Sequence, residues 1–389
     1  MKKRNFLQTL ALPLLAANPA WLHAQTSPAT AGAVAKDYSA LVYATYEDTL
    51  SAALSLQKII LAFVASPSAE TLVAAKKSWL LARESYEQSE AFRFYGGPID
   101  DAKGPEGRLN AWPMDEAYID YVKGKTSSGL INNRKVVISK ASLSRLNARG
   151  GGENVATGWH AIEFLLWGQD FNADGPGNRP FDDYVEGKVP NADRRRQYLS
   201  VVTDLMIDDL RYLVGVWTPG ARNYRERFER GEMESVRRII VGLGSLSRGE
   251  LAGERMEVAL NTQDQEDEHS CFSDNTHRDI VVSAVGIENV WLGRYVRLDG
   301  STVRGVSLRD LVATKDSALA DKLTQQMAAT VAAGRLIQAP FDQEILGNKD
   351  APGRLRIQKT IDSLVLQSKY LVDAAAALGI TRLTLVKAK

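Results

Sequence analysis

The sequence is poor in cysteine and histidine, and it lacks long apolar runs after its first residues. Cys271 is the single cysteine among 389 residues, so the chain cannot form an internal disulfide and must be stabilised by its core. No segment beyond the N-terminus approaches the ~20 continuous apolar residues of a membrane helix. We therefore expect a mature chain without a membrane span.

An excess of either charge is also missing. The 48 basic residues nearly balance the 47 acidic ones, so the composition predicts no binding to nucleic acid. The one basic tract after the N-terminus is Arg194-Arg195-Arg196, which we interpret as the solvated start of a helix.

The first 24 residues have the pattern of a secretory signal peptide. A basic start, Met1 to Arg4, precedes an apolar stretch from Phe6 to Ala17, and Leu22-His23-Ala24 offers a cleavage site before Gln25. Residues 1–24 are therefore excluded from the fold. The mature protein is expected to be exported, to the periplasm or the outer envelope.

The remaining chain has helical periodicity almost throughout, and it lacks the alternation of an exposed-face strand. Apolar residues recur at helical spacing from Ala35 to Ala65, and Ser66-Pro67 predicts the cap and first-turn proline of a second helix, which ends at Gly96-Gly97-Pro98. Further helices are predicted over residues 114–122, 194–217, 235–260, 279–295, 308–336 and 355–378.

These helices predict an all-α fold of two helical-bundle domains. The break at Thr218-Pro219-Gly220 divides the mature chain into residues 25–218 and 219–389, and each part is long enough for a bundle. The segments GGPID (96–100) and QAPFD (338–342) both close a long helix with a similar pattern. The echo suggests an ancient duplication.

The stretch GWHAIEFLLWGQD, residues 158–170, carries two ionisable groups in an apolar helix. His160 and Glu163 are three residues apart, so they share one helix face and could bind one metal ion. Burying such groups is costly unless they are paired. The alternative is a buried hydrogen bond between them, with no metal.

The helix of residues 76–100 carries a second candidate group. Trp79, Tyr86 and Arg93 repeat at seven, and Arg83 and Glu90 follow the first two by four, which gives one inward stripe. Glu90 is a candidate third ligand or a base, with Arg83, Tyr86 and Arg93 in support. An ion-pair network between helices explains the same stripe.

Two further candidates lie elsewhere. In SDNTHRD (273–279), Asp274 and His277 flank a predicted helix start, where the helix dipole keeps His277 neutral and able to bind a metal. The alternative is a capped helix with no metal.

Asp170, Asn172, Asp174 and Gly175 match the opening of an EF-hand loop, but Phe181 stands where the loop requires glutamate. The stretch therefore favours a polar turn over a calcium site.

Gly158-x-His160-x-x-Glu163 resembles the G-x-H-x-x-E signature of the imelysin family. QSEAFRFYGGPID and ELAGERM (250–256) also resemble family segments, and EHSCFSDNTH is similar to the branch called iron-regulated protein A. The resemblance implies a two-domain helical fold, export, and a link to iron uptake. It also implies that His160 and Glu163 are metal ligands, since they match the motif directly. Glu90, Asp274 and His277 are assigned to the site by inference.

Two functions involving a metal remain open from these residues, and a third alternative is a scaffold or receptor-like module in which the buried polar residues are purely structural. The first is a metal-binding protein that serves iron acquisition and holds one divalent or ferric ion between the two halves. Iron is the expected ion, and zinc or calcium is the alternative. An envelope transport or receptor protein is the expected partner. The second is a zinc peptidase, as the family's insulin-cleaving name implies, with Glu163 or Glu90 as the base. Neither H-E-x-x-H nor H-x-x-E-H occurs around His160, which favours binding.

Overall fold

The computed structural model describes residues 28–383, and the signal peptide predicted over residues 1–24 lies outside that range. The described chain is made of helices and one short hairpin, so the predicted all-α class is confirmed. The division at residue 218 stays a prediction.

The part before residue 218 contains two long helices, α1 and α2, a long helix α8, and shorter helices between them. Their bounds are α1 Ala31–Ala65, α2 Ala69–Gln88, a 3₁₀ turn Ser89–Phe92, α3 Glu106–Leu109, α4 Glu116–Ile119, α5 Gly129–Asn132, α6 Lys140–Leu146, α7 Trp159–Trp167, a 3₁₀ turn Phe181–Tyr184 and α8 Ala192–Trp217.

The part after residue 218 contains three long helices, α12, α14 and α16, and an unusual π-helical stretch. The bounds are α9 Tyr224–Arg230, α10 Met233–Ser245, a π-helix Leu246–Glu257, α11 Val258–Thr262, a 3₁₀ turn Gln265–Asp267, α12 Thr276–Leu292, β1 Arg294–Val296, β2 Thr302–Arg304, α13 Leu308–Ala313, α14 Ser317–Gly334, α15 Phe341–Ile345 and α16 Pro352–Ala377. The two strands pair antiparallel.

Several predicted helices begin or end at other residues, for local reasons. Ser68, and not Ser66, caps α2, because it and Thr71 form a reciprocal capping box. Helix α12 ends at Leu292, since Gly293 turns the chain with a φ of +57° and directs Tyr295 into the hairpin. The helix predicted over 308–336 is interrupted where the Asp316 side chain caps α14.

Packing brings both parts of the chain around α2. Helix α1 packs against α2 and α8, α12 packs against α2 and α14, and α14 packs against α16. The buried residues form one continuous core through both parts. Helix α12 therefore places residues from beyond position 218 against α2, where the predicted site residues lie.

Helix α1 alone among the described helices is long and apolar enough to cross a membrane, by length and composition. The sequence analysis did not single it out, because charged residues such as Asp37 and Asp48 interrupt its apolar run. Tyr46, Leu56 and Phe63 on this helix are fully buried in the protein core. Its packing is that of a core helix.

The arginine tract is not the solvated helix start that its charge predicted. Arg195 is buried, with Nε 2.6 Å from Oδ2 of Asp120, and Arg194 donates to the backbone carbonyls of Leu130 and Ile131. Arg194 and Arg195 therefore connect α8 to α5 and to Asp120.

Candidate metal centre

His160 and Glu163 form a buried pair on α7. Nδ1 of His160 lies 2.9 Å from Oε2 of Glu163, and both side chains are at most 1% exposed. Oε1 of Glu163 accepts hydrogen bonds from the backbone N–H and the hydroxyl of Ser273, at 3.0 and 2.6 Å. Glu163 thus orients the imidazole and joins it to the loop before α12.

The glycine of G-x-H-x-x-E has a backbone role. Gly158 precedes α7 with a φ of +92°, and a Cβ at this position would lie 2.4 Å from the carbonyl oxygen of Leu109. No other residue fits both the conformation and the close approach. Gly158 therefore fixes the start of the helix that presents His160.

Burial sets the protonation of this pair. It holds the pKa of His160 well below its usual value, with the Arg83 guanidinium as the second cause, so the ring is neutral at pH 7. Burial also raises the pKa of Glu163 to about 8. With Nδ1 engaged by Glu163, Nε2 is the nitrogen that faces the centre of the site.

Four polar atoms lie close to one nitrogen of Arg83, which is on α2. Its Nη2 is 2.8 Å from Oε1 of Glu87, 3.4 Å from Oδ2 of Asp279, 3.4 Å from Nε2 of His160 and 3.5 Å from Nδ1 of His269. The first three are acceptors, whereas Nδ1 of His269 carries the proton that it donates to Asp279. An Arg Nη has only two hydrogens, so it cannot satisfy all three acceptors. We call Arg83, Glu87, His160, His269 and Asp279 the arginine-centred cluster.

His269 and Asp279 form a second histidine–carboxylate pair in this cluster. Nδ1 of His269 is 2.9 Å from Oδ2 of Asp279, whose oxygens also accept from the Ser270 hydroxyl and the Asn275 amide, at 2.6 and 2.9 Å. Burial lowers the pKa of His269 well below its usual value. The rings of His160 and His269 meet edge to face, with centroids 4.7 Å apart.

Donor atoms of Glu87, His269 and Asp279 lie within 4.8 Å of one another, so one ion could contact all three. Nitrogen and carboxylate donors in this mixture suit iron, zinc or manganese. The cluster joins residues from both sides of position 218, at the junction where the sequence analysis predicted an ion.

Arg83 also contacts Asn110 and three aromatic rings. Its Nη1 donates to Oδ1 of Asn110 at 2.6 Å, and its guanidinium lies 5.5 to 5.8 Å from the ring centroids of Trp79, Tyr86 and Trp159. Arg83 and Tyr86 therefore contact each other next to the Trp159 ring, and their supporting roles stay predictions.

Glu90 and Arg93 lie in an adjacent ion-pair network. Glu90 pairs with Nη1 of Arg93 at 2.5 Å and with Arg255, which the π-helix supplies. Arg255 also reaches Glu87 at 2.9 Å and Glu250 at 3.0 Å. The two arginines outweigh burial and lower the pKa of Glu90. Glu90 is not among the donors around Nη2 of Arg83.

The described contacts of His277 and Asp274 do not include His160. His277 lies in the first turn of α12, as predicted, and its Nδ1 is 3.1 Å from the Asp274 carbonyl oxygen. Burial lowers its pKa. The Asp274 carboxyl is near Asp170 and Asp342, which raise its pKa to about 7 together with burial.

The stretch matching a calcium loop is a polar turn around Asp170. Oδ1 of Asp170 accepts the backbone N–H of Asn172 at 2.8 Å, and the Asn172 amide donates to the Pro176 carbonyl. Asp174 is exposed, and Phe181 begins a 3₁₀ turn. These residues do not encircle an ion as an EF-hand does.

The sequence analysis missed Glu87 and Asp279, and it noticed His269 without assigning it. The sequence contained a signal for both Glu87 and Asp279. Glu87 follows Arg83 by one helical turn, and Asp279 follows His277 by two residues in the same short segment. The pairing of His269 with Asp279, ten residues apart across a turn, is set by tertiary structure.

Comparison with known proteins gives this site a context. The imelysin family model matches residues 42–371. Iron-regulated protein A of Synechococcus elongatus is 24% identical over 332 residues, which span 82% of this chain and 80% of that protein. A Parabacteroides distasonis crystal structure, provisionally named iron-regulated protein A precursor, has a TM-score of 0.65 at 20% identity and covers 90% of this chain and 97% of that chain. The fold and the resemblance carried by G-x-H-x-x-E are both confirmed.

Proposed function

The chain belongs to the imelysin family, and we propose that it binds a transition-metal ion at the arginine-centred cluster, as part of iron acquisition. The observation that carries the proposal is the approach of three acceptors, Oε1 of Glu87, Oδ2 of Asp279 and Nε2 of His160, to Nη2 of Arg83, which can donate only two hydrogens. A metal ion binds three such atoms and the neighbouring His269 ring at once.

The proposed ligands are Nε2 of His160, His269 and the carboxylates of Glu87 and Asp279. Both histidines are neutral at pH 7, since burial lowers their pKa values, and neutral imidazole is the ligating form. A divalent ion would replace one positive charge with two, which matches the two carboxylates. Arg83 must withdraw for the ion to bind.

Glu163 has a positioning role in this proposal. Metal-binding histidines donate their second ring N–H to a carboxylate, which fixes the ring orientation, and Oε2 of Glu163 lies 2.9 Å from Nδ1 of His160. The H-x-x-E motif then supplies one ligand and its orienting group, where the sequence analysis expected two ligands.

Iron is the proposed ion because the relatives in Synechococcus and Parabacteroides are named iron-regulated protein A. The Parabacteroides protein is also named a precursor, and the first 24 residues here have signal-peptide character. We therefore include export in the proposal.

Burial favours binding over peptide hydrolysis. Arg83, Glu87, His160, His269 and Asp279 have side chains at most 2% exposed. A zinc peptidase needs an open coordination position that both water and a peptide bond can reach. A small ion can enter after a local movement, whereas a peptide would require the helices to separate.

The decisive experiment measures metal affinity in tag-free protein by calorimetry and metal analysis, with Fe²⁺ under anaerobic conditions and with Zn²⁺. His160→Ala and His269→Ala should each weaken binding by roughly 100-fold or more, because each removes a ligand. His277→Ala is the matched control, a histidine in the same region but outside the cluster, and should bind as wild type does.

Wild-type affinity in both His160→Ala and His269→Ala would refute the proposed site. Loss in His277→Ala instead would restore the ligand set expected from the sequence. Zinc-dependent cleavage of insulin, abolished by His160→Ala, would favour the peptidase function.

A further inference from the structure

A cleft of about 350 Å³ lies at the end of α7, apart from the arginine-centred cluster. Its walls come from three segments: residues 121 and 123 after α4, residues between 167 and 172 at the end of α7, and residues 178–180 before the 3₁₀ turn Phe181–Tyr184. Pockets that hold small molecules have volumes of this order and upward. The cleft is therefore large enough for a small organic ligand.

Backbone contacts fix these three segments against one another. The carbonyl oxygen of Trp167 accepts the backbone N–H of Arg179 at 2.7 Å, and the Gln169 side chain accepts the backbone N–H of Lys123 at 2.8 Å. Gly168 allows the close approach, because its φ is +73° and a Cβ there would lie 3.2 Å from Cβ of Arg179. The chain itself therefore holds the walls of the cleft in place.

Aromatic rings form part of these walls. Tyr121, Trp167 and Phe171 line the cleft, and Phe171 is 62% exposed. A single exposed phenylalanine is ordinary on a protein surface, but this one lies in the same cleft as two further rings. Aromatic faces pack well against other flat rings. The walls therefore favour a ligand that contains a planar ring.

The charged side chains that line the cleft are basic. They are Lys123 and Arg179, and none of the lining residues in the described part of the chain is acidic. Nζ of Lys123 lies 4.8 Å from the centroid of the Phe171 ring, so positive charge and an aromatic face occur together. Lys76 adds a third cation, with Nζ 5.4 Å from the centroid of the Trp167 ring. An anion in the cleft would therefore be attracted to its walls.

Arg179 also supplies a buried donor atom without a partner. Its Nη1 contacts Asp120 at 2.8 Å and Asp183 at 3.1 Å, whereas its Nε is buried and makes no hydrogen bond within the described chain. A Cβ at position 168 would lie 3.5 Å from this Nε, so the glycine there leaves Nε uncovered on that side. Buried donors are nearly always satisfied. The free Nε therefore favours a ligand that brings an acceptor oxygen.

We propose that this cleft binds a small organic anion with a planar ring, of the aromatic carboxylate class. The ring would pack against the aromatic walls, and the carboxylate would accept from Lys123 and Arg179. A neutral ring would leave the basic groups without a counter-charge, and an anion without a flat ring would make poorer contact with Phe171. The cleft shares no residue with the arginine-centred cluster, so this proposal is independent of the metal site.

The test titrates benzoate into the full chain by calorimetry, after chelator treatment and dialysis, so that the outcome does not depend on a bound metal. Benzamide has the same ring without the charge, and cyclohexanecarboxylate has the same charge without the flat ring. Benzoate should bind roughly fivefold or more tightly than either of them. Added NaCl should weaken its binding, because salt screens the attraction between the carboxylate and the basic side chains.

Two variants locate the binding site. Phe171→Ala and Lys123→Met should each weaken benzoate binding roughly fivefold, because one removes a ring of the wall and the other removes a cation. Both side chains are exposed, so the fold should be kept, and near-ultraviolet circular dichroism checks this. Tyr212→Ala and Lys188→Met, an exposed aromatic residue and an exposed lysine outside the cleft, are the matched controls and should bind as wild type does.

Several outcomes would overturn the proposal. They are undetectable benzoate binding at roughly 10 mM, equal affinity for benzamide or for cyclohexanecarboxylate, and wild-type affinity in either Phe171→Ala or Lys123→Met. An equal loss in the matched controls would place the bound benzoate elsewhere on the surface, which also contradicts it.

Discussion

Glu268 and His269 are consecutive residues, yet they belong to two clusters of buried carboxylates with different charge balance. In the arginine-centred cluster, Glu87 and Asp279 lie 2.8 and 3.4 Å from the Arg83 guanidinium. Glu268 belongs instead to the acidic pocket, the name used here for Asp170, Glu268, Asp274 and Asp342, and after burial the other three carboxylates raise its pKa. Among the described ion pairs, arginine contacts the carboxylates of the first cluster and none of the second.

The two clusters differ in how the charge of a buried carboxylate is compensated. A buried carboxylate is costly unless it is paired and hydrogen-bonded. Asp120 shows the paired solution elsewhere in the molecule, since Arg179 and Arg195 contact it at 2.8 and 2.6 Å and lower its pKa against the effect of burial. The acidic pocket has no such arginine among the described ion pairs, so burial and the neighbouring carboxylates raise the pKa values of Glu268 and Asp274.

Removing the cation of the first cluster should have the largest effect. Arg83→Met keeps the apolar length of the side chain but leaves Asp279 without its arginine and Glu87 with Arg255 alone, so metal-free protein should lose about 3–5 kcal/mol of unfolding free energy. The same change should tighten metal binding, since Arg83 competes for the ligands. Urea unfolding in chelator and metal calorimetry measure the two effects.

Arg211→Met is the control for this prediction, because Arg211 is an exposed arginine with a 3.4 Å contact to Asp208. It should change stability by less than about 0.5 kcal/mol. If Arg83→Met is as stable as Arg211→Met, the cluster does not depend on its internal cation. If it cannot bind metal, Arg83 supports the ion instead of competing with it.

Glu163→Gln should weaken transition-metal affinity by roughly 10- to 100-fold. A glutamine amide would donate to Nδ1 of His160, which would place the ring proton on Nε2, the proposed ligand atom. Oε1 could still accept from Ser273, so the fold should be kept. Metal calorimetry gives the affinity, and near-ultraviolet circular dichroism checks the packing.

Glu90→Gln is the matched comparison, since Glu90 lies in the ion-pair network with Arg93 and Arg255. It should reduce stability while leaving metal affinity close to that of wild type. Equal loss of affinity in both variants would show that Glu163 acts only through general stability.

Glu87, Asp274 and Glu163 should together make metal-free protein less stable as pH rises from about 6.5 to 8. The pKa values of Glu87 and Asp274 are raised to about 7 and that of Glu163 to about 8, from ordinary values of 4.5 or below. Over this window the folded state retains protons that the unfolded state has lost, so unfolding becomes more favourable with pH.

Thermal melts in chelator at constant ionic strength test this prediction. The melting temperature should fall by roughly a few degrees across the window. Asp274→Asn should flatten it, because one of the titrating groups is removed. A melting temperature that rises over the same range would contradict the assignment of these raised pKa values.

Sequence periodicity was sufficient for the fold class and for the long helices, because each buries a stripe with period 3.6. It was also sufficient for His160, whose place in an apolar helix is visible in the sequence. Helix ends were less predictable, since the Ser68–Thr71 capping box and the Gly293 turn depend on local hydrogen bonds and backbone conformation.

The partners of His160 could not be predicted, because they come from distant parts of the chain. Glu87, His269 and Asp279 meet it only once α12 packs on α2. The same packing separates Asp274 from His160 by directing its carboxyl toward Asp170. Motif spacing identifies ligands on one helix, whereas a complete ligand set is a property of the tertiary structure.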